Sequence, residues 1–303
     1  MTPKGVWQIL RLPLFITAVA DVLAGYAVGL LPHLHNWDWQ IAGLLAGTAS
    51  GLYLFGMVEN DLVDVRRDRW LKVPRPLVTG EVNIPTAVVL LVLAAVLAGL
   101  CAATLKGGAL VFALAAFGTI NLYNLGAKHG PAYIAMTMMG LCRVLNFMIG
   151  VTAGIGVTRG LNTGLGLLLP SGPLWAKQAL ALFCITAVVT GYSIMARRKY
   201  TVTTRVWQAV FIITVAAGFA MIALSTLLPE YPDSERWVAP IARVAALLLL
   251  AGLWPGGLWS ATGPKREPAQ YGAFIERALY WMILMDLAFV LDGLIISSVA
   301  LHQ

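Results

Sequence analysis

The chain has 303 residues, is 59% hydrophobic and only 12% charged, and carries a formal net charge of +7 with a pI near 9.5. A soluble domain carries about 25% charged residues, so this composition cannot clothe a water-facing globule and indicates a polytopic membrane protein instead. The positive balance does not point to nucleic acid, because the basic residues fall in short turns between apolar runs, where anionic lipid headgroups are their ordinary partners.

In chain order, nine apolar spans are predicted, at approximately 10–32, 40–60, 84–104, 108–126, 131–157, 174–196, 205–228, 237–259 and 272–301. Each reaches the roughly 20 residues that a bilayer core requires, the longer ones with tilt. The first span is too long for a cleavable leader, and no small-residue cleavage site follows it. Cys101, Cys142 and Cys184 all lie inside apolar runs, as small buried hydrophobes rather than a disulfide framework. Lys and Arg gather on one side of the membrane, around Lys4, Arg66–Lys72, Lys128, Arg197–Lys199 and Lys265–Arg266, while the other side holds only Lys106, Arg159, Lys177 and Arg236. This asymmetry predicts a cytoplasmic N-terminus and an outer C-terminus. Only two inter-span segments are long, the cytoplasmic stretch 70–81 and a Gly-rich outer loop around 158–173. The whole chain, 1–303, reads as one all-α membrane domain.

The cytoplasmic end of the second span carries Glu59-Asn60-Asp61-Leu62-Val63-Asp64-Val65-Arg66-Arg67-Asp68-Arg69. At 100° per residue, Asp61, Asp64 and Asp68 fall within roughly 60° of one another, with Asn60 at the margin of the same face. Three carboxylates on one helical face repel unless a cation lies between them. A hard divalent ion such as Mg²⁺, which takes oxygen ligands and shares them with phosphates, suits that role. The plain alternative is a solvated helix end held by local pairs such as Asp64 with Arg67. Between Glu81 and Glu230 there is no Asp or Glu, so a cytoplasmic metal site must draw its carboxylates from the N-terminal part or the last spans.

Polar residues at membrane depth are costly and usually face a cavity or a partner. Asp21 in the first span is expected in a pocket, with a structural ion pair as the alternative. Arg143 and Asn146 form an i,i+3 pair between Gly140 and Gly150 of the fifth span, suited either to a shared site or to a helix-packing hydrogen bond. Asp286 and Asp292 in the last span diverge by about 120° and cannot form one metal pair; they are expected to be structural or to partner Arg243.

Together, the nine spans, the pattern N-D-x-x-D-x-x-x-D at 60–68, Arg75-Pro-Leu-x-x-Gly80 and Tyr123-Asn124-x-x-x-Lys128 resemble the UbiA superfamily of intramembrane prenyltransferases. The resemblance implies a helical bundle around a central cavity open to lipid, binding a polyprenyl diphosphate through Mg²⁺. It implies that Asn60, Asp61, Asp64 and Asp68 hold the metal, that Arg67, Lys72 and Lys128 contact diphosphate oxygens, and that the activity is prenyl transfer to a small aromatic or hydroxylated acceptor. Asp61, Asp64 and Lys128 are then the catalytic group at the mouth, and Asp21, Arg143 and Asn146 the group at depth, where Asp21 or Asn146 would orient the acceptor. The cation released on ionisation needs a dry cavity, for which Tyr53, Phe55, Tyr123 and Phe147 are candidate linings and ordinary packing the alternative.

One departure is plain. The family's second aspartate motif would fall where this chain reads Tyr192-Ser-Ile-Met-Ala-Arg197-Arg198-Lys199-Tyr200, with no acid nearby. Either Arg197, Arg198 and Lys199 contact the diphosphate directly through charge-assisted hydrogen bonds, or they are a membrane anchor and catalysis is altered or lost. The first-span sequence Arg11-Leu-Pro through Asp21 to Tyr26 and the Cys142-Arg-x-Leu-Asn146 segment are similar to the EboC-like branch, which implies a bacterial inner membrane. The competing expectation is a non-catalytic isoprenoid-binding protein or a transporter of a secondary-metabolite precursor. The transporter reading suffers because the two halves share no polar repeat.

Overall fold

A computed structural model of the protein describes residues 3–30 and 34–159, together with Ala179, Phe183, Thr186 and Thr190. Its elements are α1 (Pro3–Leu10), α2 (Leu12–Leu30), a 3₁₀ turn (Leu34–Asn36), α3 (Trp39–Trp70), α4 (Pro76–Thr79), α5 (Ile84–Leu105), α6 (Gly107–Leu125), a second 3₁₀ turn (Ala127–His129) and α7 (Ala132–Arg159). Five helices among the described residues are long and apolar enough to cross a membrane, and they coincide with the first five predicted spans. Spans six to nine, with Arg197–Lys199, Arg243, Asp286 and Asp292, lie outside the described residues.

The first span differs from the prediction at its start. Residues 3–10 form a separate short helix that breaks at Arg11, whose φ of 46° lies in the left-handed region. Ile9 of α1 is fully buried while Trp7 is exposed. The helix therefore packs one face on the bundle and turns the other outward, the pattern of amphipathic helices at a membrane surface.

Helix α3 is the longest described element, and it outruns the predicted second span. Asp38 caps its start, its Oδ1 accepting from Gln40 N at 2.7 Å, and no Pro interrupts it before Trp70. Its 32 residues extend about 48 Å, against a hydrocarbon core of about 30 Å, so its last turns project beyond the apolar layer. Trp39 and Trp70, at its two ends, are both about 80% exposed, the placement expected of residues at the two interfaces.

Small residues set how closely the helices approach. Across α2 and α7, Gly25 and Gly29 face Gly150 and Gly154: a Cβ on Gly25 would lie 2.2 Å from the Phe147 carbonyl oxygen, and one on Gly150 would lie 1.9 Å from that of Val22. Two G-x-x-x-G faces thus meet within one chain, and backbone contact replaces side-chain packing. Helix α5 leans on α3 by the same device, with Ala94 and Ala98 against Gly51 and Cys101 Sγ against Gly47. The central core gathers Val22, Tyr26, Leu30, Leu45, Leu52 and Ile149. The outward face of α5, including Val89, Val92, Leu93 and Leu100, is exposed and apolar, as a lipid-facing surface must be. At the opposite end from Trp39, a second cluster of Ile9, Val58, Leu77, Val82 and Ala87 locks α1, α3, α4 and α5 around the aspartates.

Candidate functional site

The segment Arg75–Gly80 has a local physical explanation. Arg75 is extended (φ −100°, ψ 153°), Pro76 begins the single turn of α4, and Gly80 ends it in the left-handed region at φ 80°. Proline at the first helical position has no N–H to leave unsatisfied, and glycine takes positive φ without a Cβ penalty. Leu77 is buried in the cluster with Ile9 and Val58, which pins the turn to α3. The Arg75 carbonyl accepts from Val78 N and Thr79 N at 2.8 Å each. Backbone, apolar anchor and terminator together fix Arg75 and direct its guanidinium back toward the end of α3.

There it meets the three aspartates, all of which are buried. Arg75 bridges two of them, with Nη1 hydrogen-bonded to Asp61 Oδ1 and Nε 3.1 Å from Asp68 Oδ2. Arg11 Nη2 is 3.4 Å from Asp61 Oδ1. Arg67 Nη2 donates to Asp64 Oδ2 at 3.1 Å and lies 3.9 Å from Asp68 Oδ1. Lys128 Nζ, delivered by the 3₁₀ turn after α6, is 3.1 Å from Asp64 Oδ1 and donates to Asn60 Oδ1 at 2.9 Å. His129 Nε2 lies 3.7 Å from Asp64 Oδ1. The predicted face is therefore real, and the cations that offset its charge are side chains from α3 itself, from the start of α2 and α4, and from the turn after α6.

The local Asp64–Arg67 pair of the plain alternative is present, but the aspartates are not a solvated helix end. A carboxylate stripped of water needs compensating charge and hydrogen bonds, and these three draw them from neighbouring elements as well as from their own helix, Asp61 from Arg11 and Arg75, Asp64 from Lys128 and Asp68 from Arg75. Among the described residues, no three His, Cys, Asp or Glu side chains converge as metal ligands. The donor set still suits a hard divalent ion in kind: Asp64 Oδ1 and Asp68 Oδ2 are buried with a cation within 3.1 Å yet no hydrogen-bond geometry, so they keep lone pairs uncommitted.

At membrane depth, the residues predicted between Gly140 and Gly150 both make hydrogen bonds across to α2. Arg143 of α7 pairs with the fully buried Asp21 of α2 through Nη1 and Oδ2, and its Nη2 donates to Thr17 Oγ1 at 2.6 Å. Asn146 Nδ2 donates to the Ala18 carbonyl at 2.7 Å. For Asp21, the arrangement is the structural pair that the sequence reading held as the alternative to a pocket; for Arg143 and Asn146 it joins α2 and α7 beside their glycine faces. Phe147 is fully buried, and Phe55 packs at a tilt against Phe117 with centroids 4.7 Å apart, so both belong to the packing. Tyr53 is half-buried, its hydroxyl donating to the Arg11 carbonyl at 3.3 Å.

Of the predicted mouth residues, Asn60, Asp61, Asp64, Asp68, Arg67 and Lys128 come together. Lys72 does not: it is exposed, turned away at φ 52° past the end of α3, and makes no ion pair among the described residues. Arg11, Arg75 and His129 join the cluster without having been assigned a role from the sequence. For Arg75 a signal existed, since it opens the quoted Arg-Pro-Leu-x-x-Gly segment. Arg11 likewise opens the quoted first-span segment, but nothing there tied it to the aspartates, and for His129 there was no signal.

No protein-family profile and no curated protein sequence matches this chain. Solved structures do. It is similar to an apo UbiA homologue from Aeropyrum pernix K1, with 18% identity over 93% of this chain and 98% of that one and a TM-score of 0.68. It is similar to a UbiA homologue from Archaeoglobus fulgidus bound to GPP and Mg²⁺, with 18% identity over 94% and 99% and a TM-score of 0.62. A structure from work on the biosynthesis of digeranylgeranylglyceryl phosphate synthase in membranes aligns at 15% identity over 96% and 98%, with a TM-score of 0.54. The protein thus has the helical membrane fold of the UbiA homologues.

Proposed function

We propose that the protein is a membrane-embedded prenyltransferase that moves a polyprenyl group from a polyprenyl diphosphate to a small aromatic or hydroxylated acceptor. The observation that carries this reading is the cluster at the end of α3, where three buried aspartates and four basic side chains crowd one mouth. A mixed cluster of that kind suits a diphosphate with a divalent ion, and the fold is that of a protein solved with GPP and Mg²⁺. Asn60, Asp61, Asp64 and Asp68 would hold Mg²⁺, which when bound would neutralise charge on the diphosphate oxygens.

Arg67 and Lys128, now on Asp64, and Arg75, now on Asp61 and Asp68, would turn to the diphosphate as it enters. As the allylic C–O bond breaks, the electron pair leaves with the diphosphate, and fixed cations aimed at that charge lower the barrier. The acceptor nucleophile then attacks the allylic carbon and loses a proton. Arg197, Arg198 and Lys199 would supply further diphosphate contacts where the resemblance implies a second acidic motif. The EboC-like branch, the bacterial inner membrane and the cytoplasmic N-terminus belong to this same reading. Asp61→Ala or Asp64→Ala should abolish Mg²⁺-dependent pyrophosphate release while the protein stays folded, since Arg75 keeps Asp68 and Lys128 keeps Asn60. Retained turnover in either variant would sink the metal assignment.

A further inference from the structure

Glu59 sits beside the aspartate face without belonging to it. Two residues before Asp61, it is rotated by about 200° and faces α6. It is buried and takes part in no ion pair among the described residues. Its partner is Asn124, itself 2% exposed, whose Nδ2 donates to Glu59 Oε2 at 2.8 Å and to the Gly56 carbonyl at 3.0 Å. The two hydrogens of one amide nitrogen thus clamp two successive turns of α3. The reversed amide would set its oxygen against two acceptors, so chemistry fixes the orientation. Gly56 permits the approach, because a Cβ there would meet Ile120 Cγ2 at 3.0 Å.

Four residues beyond Asn124 is Lys128. The link between them is stiff: Gly126 N donates to the Leu122 carbonyl at 3.2 Å, His129 N to that of Gly126 at 3.0 Å, and Gly130 N to that of Ala127 at 3.1 Å. Lys128, its side chain only 8% exposed, ends that lever with Nζ 2.9 Å from Asn60 Oδ1 and 3.1 Å from Asp64 Oδ1. Elsewhere α6 leans chiefly on α7, so the Asn124 clamp is its main polar tie to α3.

We infer that Glu59 and Asn124 are a positioning couple that registers the end of α6 on α3 and so holds the Lys128 ammonium at the aspartate mouth. The role of Lys128 on a diphosphate rests on the reading proposed above; its placement by the couple does not. The test uses both. Purified full-length protein is acetylated with an amine-reactive ester, and Lys128 is compared by mass spectrometry with exposed Lys106 at the other end of α6. Asn124→Leu and Glu59→Leu should each speed Lys128 acetylation about tenfold, the scale of one lost buried hydrogen bond, with Lys106 unchanged. Glu59→Gln keeps an acceptor oxygen and should restore the slow rate. In Mg²⁺, Lys128→Met should weaken geranyl diphosphate binding, and Lys128→Met with Asn124→Leu should be no worse than Lys128→Met alone. Unchanged Lys128 reactivity in both Leu variants, or additive losses in the double variant, would overturn the couple. If Lys128→Met leaves binding intact, the diphosphate role fails, and acetylation still decides the positioning.

Discussion

Arg75 and Lys72 stand three residues apart, and both are basic, yet only one enters the site. Arg75 is held by a proline, a buried leucine and a left-handed glycine, whereas Lys72 lies past the end of α3 on a solvent-facing turn. Arg75→Ala leaves Asp61 with Arg11 at 3.4 Å and Asp68 with Arg67 at 3.9 Å, so two buried carboxylates lose their nearest cation. Unfolding in detergent should show a loss of about 1.5–3 kcal/mol, the worth of charge-assisted hydrogen bonds. Lys72→Ala should change stability by less than about 0.5 kcal/mol, as surface substitutions do. The aspartate face was legible from the sequence because helical rotation alone decides it. Arg75 was half legible, since the segment was visible but the single turn that directs it was not. Arg11, 50 residues from Asp61, left no local mark.

Helices α2 and α7 show what spacing can and cannot reveal. Glycines four apart in each helix announce close contact, and the structure joins the two faces. Gly150→Val should destabilise by about 1–3 kcal/mol, because the new side chain would collide with the α2 backbone and the helices would have to part. Gly99→Ala and Gly118→Ala, with nothing within 4 Å, should be neutral or stabilising by up to about 1 kcal/mol. The Asp21–Arg143 pair beside this seam spans 122 residues of sequence, and the sequence alone could not choose between a pair and a pocket. Removing one partner, as in Arg143→Met, strands a buried charge at a cost of about 3–5 kcal/mol, whereas Asp21→Leu with Arg143→Met should recover most of that loss. A thermal-unfolding series on these variants checks both statements.

At the scale of the molecule, composition and span length were enough to expect an all-α membrane fold, and the likeness to solved UbiA homologues agrees with it. Among the described residues, the five spans match their predicted places, because apolar length is a strong signal and the turns between them are short. Less legible were the boundaries, where α3 runs ten residues past its predicted span and carries the aspartates on a continuous helix. That continuation sets the depth of the mouth relative to the membrane surface.

The mouth at the end of α3 is proposed to release diphosphate from a prenyl donor. The most direct test is incubation of the purified wild-type protein with labelled farnesyl and geranylgeranyl diphosphates, with pyrophosphate measured in Mg²⁺ and again after chelation. Release from at least one donor is expected in Mg²⁺ and none after chelation. No release from either donor, or release indifferent to the metal, would contradict it.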